Sequence, residues 1–174
     1  MMVKHVLVAT DGSETAWKAV EMATNIARAC GARVTILHVI VNGLRAEEAS
    51  QLARAEHFVR RVSPITMPGQ ERALFSMGAL LQNSQGDIGK AMSALGERIV
   101  EDAAEHARTL GVDDVHTRIE PGDYSGTILA VSDEIGADMI VVGSRGLGRL
   151  AGMLLGSVSM KVAQQATCSV MIVR

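Results

Sequence analysis

Two short stretches carry the residue types that hold anions. Thr10-Asp11-Gly12 follows the apolar run from Val3 to Ala9, and Gly143-Ser144-Arg145-Gly146 follows a second run from Met139 to Val142. After nine intervening residues Gly146 is followed by Gly156-Ser157, which opens an amphipathic stretch reaching Gln165. Glycines at these places let a backbone approach a phosphate with no Cβ in the way. A helix that starts at Ser157 adds free N–H groups, the positive end of its dipole and a hydroxyl, all suited to negative charge. If the strands before the two turns are neighbours where the strand order reverses, Asp11 and the glycine loop share one crevice.

The better-known phosphate loops do not fit these residues. A GxxxxGK[ST] loop has no match, since Gly86 to Lys90 has the wrong spacing and no hydroxyl residue follows. A dinucleotide loop needs GxGxxG directly after the first strand, whereas Gly146 and Gly148 come late and are followed by Arg149, Leu150 and Ala151. Nor is there a nucleophile elbow, a Ser/His/Asp set in matching context, or a pair of carboxylates beside the glycines. His38 sits inside an apolar strand and reads as structural; His5, His57, His106 and His116 show no ligand spacing. Arg149 reads as a solvated charge, and the ten methionines as core on apolar helix faces.

The elements that must position the two turns follow from periodicity. Val3 to Ala9 predicts a buried strand, and the spacing from Ser13 to Cys30 predicts a helix with a Ser13 cap and Gly31 at its end. Val34 to Val41 predicts a second strand, completing a βαβ unit. A long helix is expected from Ile88 to Leu110, a third strand over Val115 to Ile119, and a helix capped by Asp123 and closed by Gly136. Met139 to Val142, the helix from Ser157 to Gln165, and Val170 to Val173 finish the series. This alternation predicts an α/β fold with a doubly wound parallel sheet, Rossmann-like in class. Residues 43–87 bring no strand pattern and read as a helical insertion after strand 2 on one domain spanning 1–174. Its apolar faces (Leu52, Ala55, Val59; Leu74, Met77, Leu81) call for cover by the rest of the protein, by a second copy or by a regulated partner protein.

Composition narrows the function. The chain has 174 residues, 48% hydrophobic and 21% charged, with 17 Lys and Arg against 19 Asp and Glu. A net charge of −2 offers no basic field to nucleic acid, and Trp17, Phe58, Phe75 and Tyr124 are too few to stack bases. Cys30 and Cys168 lie far apart with no metal-ligand spacing, as expected of core thiols in a reduced cytoplasm. No run of about 18 apolar residues suggests a membrane span, so a cytoplasmic location is expected.

The pattern Gly143, Gly146, Gly156, Ser157, together with the start KHVLVATDGSE, the stretch GADMIVVGSRG and the tail GSVSMKVAQQATCSVMIVR, resembles the ATP-binding branch of the universal stress protein family. The resemblance covers residues 1–41 and about 88–174. It implies a five-stranded sheet of order 3-2-1-4-5, a homodimer, and ATP or another adenine nucleotide, with Mg²⁺, across strands 1 and 4. Ala9, Thr10 and Val39 would line the adenine, and Asp11 would face the ribose or a phosphate-bound metal. Gly143 would lie by the ribose. Gly146, Gly156, Ser157, Val158 and Ser159 would hold the phosphates. Arg145 would meet a phosphate or point to solvent. Ser169 stands where the family often has proline, which bears on the edge strand and leaves the pocket untouched.

Three functional readings follow. The first is an ATP-binding regulatory protein of the stress response, compatible with slow hydrolysis. The second is an adenine-nucleotide hydrolase or nucleotidyl-transferring enzyme on the same sheet. The third, a phosphoacceptor using Asp11, lacks the second acidic residue and the strand-end lysine that such chemistry needs. The apolar edge strand Val170 to Val173, blunted by little charge, points to pairing with a two-fold mate.

Overall fold

The computed structural model describes residues 2–40, 88–146 and 155–174, of which 88–92 by their backbone. The stretch read as an insertion, and residues 147–154 of the glycine loop, lie outside the described residues.

The elements run β1 (His5–Ala9), α1 (Glu14–Cys30), β2 (Arg33–Ile40), α2 (Ile88–Thr109), β3 (Val115–Pro121), α3 (Tyr124–Ile135), β4 (Met139–Gly143), α4 (Ser157–Gln165) and β5 (Ser169–Val173). The five strands form one sheet in the order β3-β2-β1-β4-β5, and every pairing is parallel. The strand order is the expected one. It reverses at β1, whose neighbours are β2 and β4, so the switch point lies between β1 and β4.

Local chemistry explains the boundaries. The Ser13 side chain accepts from the Ala16 N–H at the start of α1, and Gly31 ends the helix at φ 63° with its N–H turned back to the Ala27 and Arg28 carbonyls. Asp123 caps α3 by accepting from the Gly126 N–H at 2.7 Å, and Gly136 at φ 62° closes it. β3 runs on to Pro121 because its pairing with β2 continues through Val39 with Glu120 and Ile40 with Pro121. A proline there is tolerated because β3 is an edge strand.

Alternation along the strands divides the core in two. Val6, Val8, Val34, Ile36 and Val141 face α1 and α2, where they meet Trp17, Val20, Ala23, Val100 and Ala103. Leu7, Leu37, Val39, Ile140 and Val142 face the other way, against Ile128 and Val131 of α3 and Val162 of α4. Strands apolar on both faces are what a parallel sheet covered on both sides requires. On β3 only Val115 and Ile119 join the first cluster, while Arg118 pairs with Glu120 and with Glu134 of α3. Among the described residues, no helix is long and apolar enough to cross a membrane.

Candidate functional site at the β1/β4 switch point

The chain leaves β1 through a tight turn. Thr10 still donates its N–H to the Leu37 carbonyl at 2.9 Å, and the next residues are held by short-range bonds. Gly12 donates to Thr10 Oγ1 at 3.2 Å and Ser13 to Asp11 Oδ1 at 3.0 Å. Gly12 takes φ 76°, a conformation that side chains disfavour. The result is a half-buried Asp11 at the carboxyl end of β1, directly before the N-terminus of α1.

β4 ends beside it. Gly143 lies against the first turn of α1, where an added Cβ would stand 2.9 Å from the Ala16 nitrogen and the Thr15 carbonyl carbon. Its lack of a side chain is thus demanded by helix packing. The Thr15 hydroxyl donates to the Arg145 carbonyl and ties the two turns together. Gly146 closes the approach: a Cβ there would come within 2.6 Å of Asp11 Oδ2. Asp11 and Gly146, separate in the sequence, are therefore packed against each other past the carboxyl ends of β1 and β4.

Ser144 anchors the start of α4. Its N–H donates to the Val173 carbonyl at 2.6 Å, and its own carbonyl accepts from the Gly156 N–H at 2.7 Å and from Ser159 Oγ at 3.1 Å. Ser159 Oγ also reaches the Gly156 carbonyl at 3.0 Å. The Gly156 N–H and the Ser159 hydroxyl are therefore engaged inside the protein. The first-turn N–H groups of α4, at Ser157, Val158 and Ser159, have no acceptor within a helix, and Ser157 is exposed while Ser159 is buried. Among the described residues, no side chain caps this helix. The Ser144 hydroxyl is fully buried and has no hydrogen-bond partner among the described residues.

The apolar wall is supplied by one face of the sheet. Ala9, Val39, Val142 and Val158 all belong to the cluster beneath α3 and α4, with Ala9 paired to Val142. Thr10 and Val39 are each 5% exposed, Ala9 is half-buried, and Arg145 is exposed. His38, read as structural, is buried with Nδ1 2.8 Å from the Thr10 carbonyl, and burial pushes its pKa below the usual 6.5. Three residues that shape the crevice have no sequence signal of their own: Thr15, Ser144 and His38 act through bonds to backbone atoms distant in the chain. Among the described residues, no group of three or more His, Cys, Asp or Glu is placed to hold a metal.

A doubly wound parallel sheet with glycine turns and two helix N-termini gathered at its switch point defines the class of protein. The chain belongs to the universal stress protein family, whose model matches residues 2–174 and so spans the stretch 43–87 as well. It is 32% identical over 173 residues to the universal stress protein YxiE of Bacillus subtilis, covering 99% of this chain and all (100%) of that one. A universal stress protein solved in complex with cAMP is 27% identical, with a TM-score of 0.64 over 100% of this chain and 99% of that chain. The universal stress protein UspA of Lactobacillus plantarum has the same fold at a TM-score of 0.70, with 22% identity and coverage of 100% and 99%.

Proposed function

We propose that the chain is an adenine-nucleotide-binding regulatory protein of the stress response, taking ATP with Mg²⁺ at the β1/β4 switch point. The observation that carries this reading is the juxtaposition of Asp11 with Gly146, whose missing Cβ lets the turn after β4 lie directly against the carboxylate. The first-turn N–H groups of α4 start one residue after Gly156, which is bonded to Ser144. An acidic group for a ribose hydroxyl or a metal thus adjoins backbone donors for phosphates. The cAMP complex of a family member 27% identical to this chain supports the nucleotide class.

In this reading Ala9, Thr10 and Val39 line the base and Asp11 meets the ribose or Mg²⁺, with Gly143 beside it. Gly146, Ser157 and Val158 offer the phosphates backbone N–H groups, as does Ser159, while Arg145 adds charge from its exposed position. Gly156 contributes the turn that aims these donors. Bound Mg²⁺ would supply charge neutralisation at the phosphates. Calorimetry with ATP, ADP, AMP and cAMP, with and without Mg²⁺, tests the assignment, and mass spectrometry of any copurifying small molecule identifies the native one. Absence of binding by every adenine nucleotide removes the reading. Multiple turnover well above about one per minute would make the protein an enzyme instead, at the low end of catalytic rates.

The same proposal includes a homodimer through β5. This strand lies at the sheet edge, and Val170, Met171, Ile172 and Val173 are only half-buried. Pairing with a two-fold mate would satisfy the open backbone groups and cover those side chains. Light scattering at micromolar concentration should find a dimer that truncation after Thr167 abolishes; a monomer throughout removes it. The regulated partner, proposed to meet residues 43–87, and a cytoplasmic location belong to this reading too.

A further inference from the structure

We propose that His38 is a positioning residue for the Thr10–Gly12 turn, and that α2 lacks a side chain at Gly96 in order to admit its ring. Only the consequence for binding rests on the nucleotide reading above; the positioning itself rests on geometry. Thr10 is the first residue past β1, and consecutive residues of β2 hold both of its backbone polar groups. Its N–H goes to the Leu37 carbonyl at 2.9 Å, and its carbonyl faces His38 Nδ1 at 2.8 Å. A carbonyl oxygen can only accept, so the proton of this bond is on Nδ1.

The ring has little room to leave that position. His38 is 3% exposed, and a Cβ on Gly96 would stand 2.8 Å from its Cδ2 and 3.4 Å from its Nε2. The imidazole is therefore held between α2 and the Thr10 carbonyl, on the face of the sheet opposite the apolar wall of the crevice. It acts as a spacer of fixed length. With both groups of Thr10 fixed, the backbone that presents Asp11 is set before any ligand arrives, and a preordered loop loses less freedom on binding. The depressed pKa of the buried ring fits this role, since a neutral imidazole retains one donor and loses none of the packing.

The test compares His38→Leu, which keeps bulk and removes the donor, with His38→Asn, whose side-chain amide can stand in for Nδ1–H. In ligand-free protein that keeps a cooperative melt, His38→Leu should speed amide hydrogen exchange at Gly12 and Ser13. It should also weaken ATP–Mg²⁺ binding about tenfold, the scale of one lost hydrogen bond, and His38→Asn should restore both. A folded His38→Leu protein with unchanged exchange at Gly12 and Ser13 overturns the proposal, as does an Asn variant no better than Leu. If the wild type takes up no adenine nucleotide, the nucleotide reading fails while exchange in the ligand-free chain still decides the role of His38. Nitrogen NMR of the unsubstituted protein needs no variant at all: a neutral His38 protonated at Nδ1 is expected, and one protonated at Nε2 overturns the assignment.

Discussion

At the amino ends of β1 and β4, Asp138 accepts the backbone N–H groups of Lys4 and His5 at 2.7 and 3.0 Å; at the carboxyl ends of the same two strands, Asp11 faces Gly146 instead. The amino end is stitched from strand to strand. Ser169 donates to the Asp138 carbonyl, Asp138 to His5, Arg33 to Lys4 and Val34 to Asp114, so the chain of bonds crosses the whole sheet. The Arg33 guanidinium adds a contact to the Asp114 carboxylate at 2.8 Å. The carboxyl end diverges into turns that lead to different helices, and α1 and α4 both begin there. One end of the sheet uses its aspartate to close backbone donors. The other keeps glycines beside its aspartate and collects the positive ends of two helix dipoles.

The contrast is sharpest at Gly146. Gly146→Val would drive a branched side chain into Asp11 Oδ2, 2.6 Å from the first added carbon, and force the carboxylate out of its position. Because Gly146 is exposed, folding should change little, while affinity for ATP–Mg²⁺ should fall about a hundredfold or more, some 2.7 kcal/mol. Calorimetry on the folded variant measures this, and undiminished affinity would remove the assignment of the crevice.

Gly143 separates packing from binding at the same end of the sheet. In Gly143→Ala the new methyl meets backbone atoms of Thr15 and Ala16 at 2.9 Å, and backbone does not rotate away as a side chain would. Overpacking of this kind costs about 1–3 kcal/mol, so the melting temperature should drop by several degrees. An unshifted melt would mean that α1 can move away from β4 freely.

Asp138→Ala tests the closed end. Hydrogen bonds from Lys4 and His5 hold the Asp138 carboxyl below its usual range, so the substitution should lower the melting temperature and leave nucleotide affinity as it was. A loss of affinity with an unchanged melt would reverse the roles given to the two ends.

Much of this architecture is legible in the sequence because it is local. Ser13, Gly31, Asp123 and Gly136 are recognisable as caps from their immediate neighbours, and the apolar runs mark the strands. The boundaries that differ are set by pairing instead. β5 begins at Ser169 opposite Met139, β4 reaches Gly143 opposite Val173, and β3 extends to Pro121 along β2. A polar or helix-breaking residue hides such strand ends from a hydrophobicity pattern. At the crevice, residue type and spacing point to Asp11 and the glycines. The bonds from Thr15 to the Arg145 carbonyl and from His38 to the Thr10 carbonyl are between residues of ordinary type. Their meaning appears only when the strands are in register.

Acid should separate the histidines from the aspartate with the gentlest perturbation. Burial pushes the His38 pKa below 6.5, and burial does the same to His5, so the unfolded chain takes up protons that these folded rings refuse. Stability is therefore complete above about pH 6.5 and declines as the pH falls below it. For one such proton the slope reaches at most about 1.4 kcal/mol per pH unit, and it flattens once the folded ring protonates. Asp138 acts in the same sense at lower pH: its depressed pKa gives stability that is full above 3.8 and is lost as the pH falls through the folded value. Both histidines, His38 near the carboxyl end and His5 at the amino end, should thus weaken the fold first on acidification, with Asp138 contributing later. Trp17, the sole tryptophan, is buried with its ring 5.0 Å from that of His106, and its fluorescence reports unfolding. Urea midpoints should fall between pH 7.5 and 5 in the wild type and fall less in His38→Asn. Equal slopes in the two proteins would show that the buried ring beside Thr10 takes no part in the acid response.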